Sequence, residues 1–289
     1  MSGFPEWLDR TEYPFELRKF SSAAGTLNYV DEGTGPTVIF LHGNPTWSFL
    51  YRSVIKGLSS DFRCIAPDYL GFGLSDAPEV FSYSPDDHSA VIAEFIESID
   101  ADIITLVLHD WGGPIGLKYA IKNPSQIKKI VLFNTWMWPV KQSPKFWLFS
   151  ILLGNRSQLP FYRRQNIFAR YIMPLGLSHP WEISEIIHSQ YIQPLQSHTS
   201  RYATWMFPRS LLRSIDMLEH LWGARERISK IPKLLVWGMK DRMFDGRVLD
   251  IWIHTFPDAT TEPVYNAGHY VPEELGNRYI KIIAQFLDS

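Results

Sequence analysis

The stretch that most constrains this chain is a buried strand that runs into a sharp turn and then a helix. Branched apolar residues fill positions 104–108, which is typical of a strand covered on both faces of a parallel sheet. Asp110 follows, and after it come two consecutive glycines and a segment of helical spacing up to about Lys122. Glycine relieves crowding in a tight turn, and a helix N-terminus favours a charged carboxylate. We therefore expect a reactive Asp110 at the tip of the turn, although Asp110 alone also fits a helix N-cap.

The rest of the chain alternates strand patterns with helical patterns. A β-hairpin is predicted at 15–22 and 26–31. Strands are predicted at 37–41, 63–67, 104–109, 129–134, 233–238 and 260–265, and those at 37–41, 104–109 and 129–134 are expected to be buried. Helices are predicted at 46–58, 85–99, 114–122, 248–255 and 277–287, with Ser84 as the N-cap of the second. This alternation predicts an α/β fold with a mostly parallel central sheet flanked by helices.

The alternation stops after the sixth strand. Residues 136–220 contain no buried-strand run, but they are rich in aromatic residues and are interrupted by prolines. Amphipathic helices with short connections fit this composition best. We therefore expect a first part of the core at residues 1–135, a helical cap at 136–220 and a second part of the core at 221–289.

Composition and charge exclude several classes of function. The 289 residues are 45% hydrophobic and carry a formal net charge of −2, which argues against nucleic acid or an anionic membrane surface as a partner. The single cysteine, Cys64, allows no intramolecular disulfide and is expected to be buried. Charged residues are spread through the first 20 positions, so these positions hold no apolar signal core. No apolar run in the chain is long enough for a spanning helix. The expectation is a cytoplasmic protein whose oligomeric state the sequence leaves open.

His269 is the histidine whose position fits catalysis best. It follows a glycine directly after the last predicted strand. Residues 104–122 resemble the strand, turn and helix that carry the nucleophile in the α/β-hydrolase fold, where the chain order is nucleophile, acid, histidine. We therefore expect His269 to be the base, against the alternative of a surface loop histidine. His42 and His109 lie at strand ends and are expected to support the site through hydrogen bonds.

The orienting acid is expected just beyond the strand that precedes the last one. Asp241 lies there, and Asp245, four residues further on, is the reserve candidate. The end of the strand before these offers Asn134 but no carboxylate. The alternative for Asp241 is a solvated loop aspartate beside Lys240 and Arg242.

Asn44 and Trp111 are placed to supply neutral donors around Asp110. Asn44 follows the first buried parallel strand, and Trp111 follows Asp110 directly. In the α/β-hydrolase fold, backbone N–H groups of these two loops form the oxyanion hole. Their side chains add an amide and an indole N–H without charge, and a cation there would pair with Asp110 instead. Together the two residues fit the stabilisation of a leaving anion.

These motifs resemble haloalkane dehalogenases of the α/β-hydrolase fold. The matching segments are His42-Gly-Asn-Pro-Thr-Trp47, Asp68-Tyr-Leu-Gly-Phe-Gly-Leu-Ser75, His109-Asp-Trp-Gly-Gly113, the Asp241 loop and Gly268-His269. An aspartate at the turn is shared with epoxide hydrolases, whereas Asn44 with Trp111 matches the halide-binding pair of many dehalogenases. One subgroup uses a glutamate after the strand that here ends at Asn134. The resemblance therefore implies the subgroup with an Asp-His-Asp triad and an Asn-Trp halide pair.

The resemblance also implies a reaction. Asp110 would displace halide from an alkyl carbon, and His269, oriented by Asp241, would activate the water that hydrolyses the resulting ester. The products would be a primary alcohol, halide and a proton, from a small apolar halogenated substrate and without a metal or organic cofactor. A Phe-Pro pair in the cap resembles one near the dehalogenase pocket, so Phe207 is expected to line the pocket, and so is Trp136 from its position.

Other functions fit parts of the same pattern. An epoxide hydrolase would use the same triad with cap tyrosines, for which Tyr162, Tyr171, Tyr191 and Tyr202 are available. A fluoroacetate-type dehalogenase would need arginines beside the nucleophile, where this chain has Trp111. A luciferase-like oxygenase and a non-catalytic receptor share the scaffold. The intact set of nucleophile, base and acid favours an enzyme over a receptor.

Overall fold

The computed structural model describes residues 4–180 and 182–289, so Trp181 of the predicted cap lies outside the described residues. One eight-stranded sheet forms the centre, in the order β1-β2-β4-β3-β5-β6-β7-β8. The strands are β1 (Arg18–Ser22), β2 (Gly25–Glu32), β3 (Thr37–Leu41), β4 (Arg63–Pro67), β5 (Ile104–His109), β6 (Ile127–Phe133), β7 (Lys233–Gly238) and β8 (Thr260–Val264). The six strands from β4 to β8 along the sheet are parallel, and β2 is antiparallel to both of its neighbours, β1 and β4. The predicted hairpin and mostly parallel sheet are confirmed.

Both faces of the sheet are covered, which explains the continuous apolar runs in the strands. In β5, Leu106 and Leu108 belong to one buried apolar cluster, whereas Val107 belongs to another. Successive side chains of a strand point to opposite faces, so each face contributes to its own core.

Twelve α-helices accompany the strands in the described part of the chain. They are α1 (Arg52–Leu58), α2 (Pro85–Ser98), α3 (Gly112–Lys122), α4 (Pro144–Gly154), α5 (Leu159–Gln165), α6 (Met173–Gly176), α7 (Glu185–Ile192), α8 (His198–Ser210), α9 (Ile215–Gly223), α10 (Gly246–Thr255), α11 (Val271–Glu274) and α12 (Asn277–Asp288). The hydroxyl of Ser84 accepts a hydrogen bond from the backbone N–H of Asp87, which confirms it as the N-cap of α2. Within the same residues, no helix is long and apolar enough to cross a membrane.

The described residues between β6 and β7 form helices and turns, with a π-helix at Phe168–Ile172 between α5 and α6. The domain limits at 135 and 220 stay a prediction. The second limit would cut α9, whose Met217, Leu218 and Leu221 are buried in the core cluster that also contains residues of α3. This packing favours a cap that ends before Ile215.

The order of the strands locates the site. In the sheet, β4 lies on one side of β3 and β5 lies on the other. The connection that follows β3 leads to β4, whereas the connection that follows β5 leads to β6, so the two connections run in opposite directions along the sheet. In open α/β sheets, ligands bind in the crevice that such a reversal opens at the carboxyl ends of the strands. Asn44 follows β3 and Asp110 follows β5, so both border this crevice.

Candidate active site

Asp110 lies at the tip of the turn between β5 and α3 with a φ of +50°. This left-handed conformation is uncommon for a residue with a side chain, and the packing around it must hold it in place. Gly43 lies against the Asp110 side chain and Gly112 against the carbonyl of Leu41, so a Cβ atom at either glycine would overlap its neighbour. The N-cap residue of α3 is Trp111, so the alternative of Asp110 as a helix cap is wrong.

Three loops bring Asp110, His269 and Asp241 together. The His269 Nδ1 atom lies 2.8 Å from Oδ2 of Asp241, and its Nε2 atom lies 3.6 Å from Oδ2 of Asp110. The first distance is a hydrogen bond, and the second is too long for one. The Asp241 contact fixes the Nδ1–H tautomer, so the Nε2 lone pair of a neutral His269 faces Asp110.

Asp241 is held by four donors. Its Oδ1 accepts the backbone N–H groups of Met243, at 2.7 Å, and Phe244, at 3.0 Å. Its Oδ2 accepts His269 and, at 2.9 Å, the side-chain amide of Asn134. These bonds fix the carboxylate on the histidine, which is the contact expected of an orienting acid.

Asn134 is a residue of the site whose role the sequence did not reveal. It is fully buried at the end of β6, and its Oδ1 accepts the backbone N–H of Gly238 at 2.7 Å. Its Nδ2 therefore has a fixed direction toward Asp241. In the sequence, Asn134 stands out only because it is not a carboxylate, although an amide at the end of a buried strand is itself a signal of a polar contact.

Asp245, the reserve candidate for the acid, has another role. Its side chain accepts the backbone N–H of Arg247 and so caps α10. It also pairs with Lys145, at 2.9 Å, and with the Arg247 guanidinium, at 2.7 Å. Asp241 occupies the hydrogen-bonding position on His269 Nδ1, so Asp245 is not the orienting acid.

Burial and charge move the pKa values of the three groups in different directions. Burial raises the pKa of Asp110, against the opposing effects of His269 and of the backbone N–H groups of Asn44 and Trp111. For His269, burial lowers the pKa, but the charges of Asp241 and Asp110 outweigh it and leave the pKa raised. For Asp241, burial is outweighed by His269 and two backbone N–H groups, which hold its pKa below the ordinary value. The two carboxylates therefore stabilise the protonated form of His269 relative to an ordinary histidine.

Asn44 and Trp111 border Asp110 from two sides. The backbone N–H of Asn44 donates to Asp110 Oδ1 at 2.9 Å. One hydrogen of its side-chain Nδ2 donates to the Thr204 carbonyl at 3.1 Å, and the amide has a second hydrogen to offer. The Trp111 ring packs edge to face on Trp136, with the centroids 4.7 Å apart. Asn44, Asp110 and Trp111 all line one cavity.

His42 and His109 support the loops around the site, as predicted. His42 contacts the Gly43 carbonyl through Nδ1 at 2.9 Å and accepts the backbone N–H of Tyr69 through Nε2 at 3.0 Å. His109 Nε2 lies 2.9 Å from the carbonyl of His269. Burial lowers the pKa of His42 to about 3, so it remains neutral.

A cavity of about 310 Å³ lies above Asp110, between the core and the cap. Apart from the site residues its wall is largely apolar, built from Phe146, Phe149, Leu152, Leu153, Phe168, Ile172, Leu175, Pro208, Leu211, Met243 and Phe244. A dry apolar wall with a few converging polar groups is typical of a site for a small apolar ligand. Among the described residues, no group of three or more His, Cys, Asp or Glu is arranged to hold a metal ion.

The predicted pocket residues Phe207 and Trp136 do not belong to this wall. Both are fully buried, and their rings pack against Trp111, with the Phe207 centroid 5.5 Å from that of the indole. They therefore lie behind Trp111, while the neighbouring Pro208 reaches the cavity. Position along the sequence indicated proximity to the site but not the direction of these side chains.

The chain is similar to known proteins over most of its length. The family model described as the α/β hydrolase fold matches residues 36–274. The chain is 38% identical over 277 residues to haloalkane dehalogenase 2 of Mycobacterium tuberculosis, which covers 94% of this chain and 95% of that protein. It is 30% identical over 290 residues to a cis-3-alkyl-4-alkyloxetan-2-one decarboxylase of Shewanella oneidensis, which covers 96% of this chain and 90% of that protein.

Solved structures agree on the fold. The haloalkane dehalogenase DbeA from Bradyrhizobium elkani superposes with a TM-score of 0.86 at 23% identity, covering 95% of this chain and 98% of that chain. The dehalogenase DatA from Agrobacterium tumefaciens gives 0.84 at 24% identity, covering 94% and 96%. With the sequence similarity over nearly the whole length, the chain belongs to the haloalkane dehalogenase family of the α/β-hydrolase fold.

Proposed function

We propose that this protein is a hydrolytic dehalogenase that converts haloalkanes to a primary alcohol, halide and a proton through an alkyl ester on Asp110. Membership of the family supports an enzyme that acts on carbon–halide bonds. The observation that carries the proposed mechanism is the position of Asp110 at the base of an apolar cavity. There it faces a histidine that is hydrogen-bonded to a second carboxylate.

In the first step, the two oxygens of Asp110 have different roles. Oδ1 accepts the N–H of Asn44, whereas Oδ2 is not engaged by a hydrogen bond to His269. Oδ2 is therefore the nucleophile, and it attacks the carbon that bears the halogen. The carbon–halogen bond breaks, and the halide leaves with the electron pair. The side-chain N–H groups of Asn44 and Trp111 stabilise the departing anion.

In the second step, His269 acts on the ester. Its Nε2 takes a proton from water, and the hydroxide attacks the carboxyl carbon of Asp110. The oxygen already held by Asn44 becomes the oxyanion of the tetrahedral intermediate, so the hole is occupied before the reaction starts. The intermediate collapses by breaking the bond between the carboxyl carbon and the alkyl oxygen, and protonated His269 returns its proton to that oxygen, so the alcohol leaves. The new carboxyl group of Asp110 then releases a proton to solvent, which restores the carboxylate.

The decisive experiment measures halide release from 1,2-dibromoethane or 1-iodobutane. We expect release by the wild-type protein and none by Asp110→Ala. Asp245→Ala is the matched control, because it removes a carboxylate from the 241–245 loop that does not orient His269, and it should retain activity. Equal activity of the two variants would refute the role of Asp110.

The ester is tested separately by intact mass. A His269→Phe variant should accumulate one alkyl group per protein, because the first step needs no base and the second does. Absence of the adduct with every substrate that the wild-type protein turns over would rule out the covalent route.

A second candidate is the decarboxylation of a dialkyl β-lactone, favoured by the 30% identity to the oxetanone decarboxylase. Asp110 would attack the alkyl-substituted ring carbon that is bonded to the ring oxygen, and this would break the bond between that carbon and the oxygen. The lactone carbonyl group would then leave as a carboxylate, which is an anion like halide. Loss of CO₂ would then form the alkene and release Asp110 without water. His269→Phe separates the candidates, because it blocks ester hydrolysis but not this elimination.

The epoxide hydrolase alternative has less support. Among the described residues, the only tyrosine of the cavity wall is Tyr270, and its hydroxyl already donates to the Asn44 carbonyl at 3.3 Å. Tyr191, a cap candidate, donates to Glu273 instead. Faster turnover of styrene oxide than of any haloalkane would restore this alternative.

A further inference from the structure

Charge is distributed unevenly between the cap and the rest of the chain. Residues 141–213 carry nine Lys and Arg and two Glu, a formal charge of +7. The remaining residues carry 19 basic and 28 acidic side chains, a charge of −9. The net charge of −2, which argued against an anionic partner, is therefore an average over two regions of opposite sign.

Most of the cap cations are not neutralised by carboxylates. Lys141 pairs with Glu219 and Lys145 with Asp245. The cap arginines form no ion pair with any described residue, and they are Arg156, Arg163, Arg164, Arg170, Arg201, Arg209 and Arg213. Three of them crowd together, because Arg156, Arg209 and Arg213 surround one surface depression together with Ile151.

The same region exposes large apolar side chains. Helix α4 presents Trp147, Leu148, Ile151 and Leu152 to solvent, with exposed fractions between 41% and 56%. Tyr171 and Leu175 are exposed by 59% and 52%. We call these six residues the mouth surface. Exposed apolar residues scattered singly are ordinary, but a group of this kind marks an interaction site.

The mouth surface adjoins the active-site cavity. Leu152 and Leu175 both line the cavity, and both are more than half exposed. A side chain that borders the cavity and the solvent at once lies at the opening between them. An apolar ligand that enters the cavity therefore crosses the mouth surface first.

Exposed Trp, Leu and Ile side chains next to unpaired arginines are the features of a surface that lies in the headgroup region of an anionic membrane. A second copy docking through the same patch would bring the two +7 regions together, which like-charge repulsion opposes. Single-stranded nucleic acid would use the arginines but not the exposed leucines and isoleucine. We propose that the mouth surface and the adjoining arginines dock the cap on an anionic lipid bilayer, so that apolar substrates pass from the lipid into the cavity.

The test is flotation of the full chain with vesicles of phosphatidylcholine, with or without roughly 30% phosphatidylglycerol. We expect binding to the anionic vesicles only, and weaker binding at about 1 M salt, where the Debye length is about 3 Å. The double variant Arg156→Gln with Arg213→Gln should weaken binding about 30-fold, because it removes two basic residues that each make the usual contribution of a cation at an anionic leaflet. Trp147→Ser with Leu148→Ser should also lose binding, because the apolar anchor is removed.

Arg227→Gln with Lys281→Gln is the matched control, because both residues are exposed cations outside the cap. This pair should bind vesicles like the wild-type protein. All variants should release halide from 1,2-dibromoethane at the wild-type rate in the absence of vesicles, since none of the changed residues lines the cavity. That assay also verifies folding.

Several results would overturn the proposal. They are absence of binding to anionic vesicles, equal loss of binding in the control pair, a concentration-dependent dimer that only the cap variants abolish, and binding of single-stranded DNA in preference to vesicles. Because flotation does not depend on turnover, failure to release halide would count against the proposed function and leave the docking result intact.

Discussion

The contact between Asn134 and Asp241 allows a sharp test of how the triad is positioned. Asn134→Asp keeps the shape of the side chain and can still accept the N–H of Gly238, but it replaces the amide donor to Asp241 Oδ2 with an acceptor. Two carboxyl groups about 2.9 Å apart in a buried site cannot both stay ionised, so they will share a proton. Asp241 then loses part of the negative charge that orients His269.

The size of the effect follows from the lost hydrogen bond. A hydrogen bond to a charged group contributes about 1.5–3 kcal/mol. If all of it is lost in the transition state of ester hydrolysis, that step slows by about 10- to 150-fold, at about 1.36 kcal/mol per factor of ten. Attack by Asp110 does not need His269, so the burst of one halide per site should keep its rate. The ester should accumulate during turnover.

Rapid-quench measurement of halide and mass spectrometry of the protein separate the two steps. The variant should also be more impaired at high pH than at low pH, because the introduced carboxyl group donates to Asp241 only while protonated. Asn123→Asp, at the end of α3, is the control for an added charge. Unchanged turnover of Asn134→Asp across this pH range would refute the idea that Asn134 positions the acid.

Three further predictions concern the groups around Asp110. Asn44→Ala should slow halide release by about 10- to 150-fold, because a donor to the leaving anion is lost, and stopped-flow halide detection measures this. Trp111→Phe removes the indole N–H together with part of the ring and should reduce the same step by a similar factor. Wild-type halide release by this variant would contradict the donor role. The rate of ester hydrolysis in a single turnover should rise with pH through the pKa of His269, because the histidine must be neutral to take a proton from water. In the ester, Asp241 still raises that pKa, whereas the charge of Asp110 no longer contributes.

The sequence predicted the sheet, most helices and the four loops of the site because those features depend on local patterns. A buried apolar run predicts a strand wherever it lies in a parallel sheet, and the carboxyl ends of parallel strands meet at one edge. Asn44, Asp110 and Asp241 each follow such a run, and His269 follows the last strand of the same sheet, so the sequence predicts their convergence.

Two parts of the site could not be predicted in this way. The bond between Asn134 and Asp241 joins residues that are 107 positions apart, and no local pattern pairs them. The pocket wall depends on how each cap helix is rotated about its axis. Helix α4 is apolar on nearly all sides, so its sequence does not indicate which side chains face the cavity and which face solvent. The rotation of α8 likewise decides that Phe207 packs behind Trp111 rather than in the cavity wall.

The charges of the triad also indicate how the basicity of His269 changes between the two steps of the reaction. In the resting site, Asp241 and Asp110 both raise the pKa of His269, with Asp241 as the stronger influence. Formation of the ester removes the charge of Asp110, which lies 3.6 Å from Nε2. One of the two carboxylates that stabilise the imidazolium is then gone, so the pKa of His269 falls when the neutral base is needed. A methyl or ethyl ester trapped on Asp110 should therefore shift the His269 titration, followed by NMR, to lower pH than in the free protein. A titration that does not move would mean that Asp110 has no part in setting the pKa of the base.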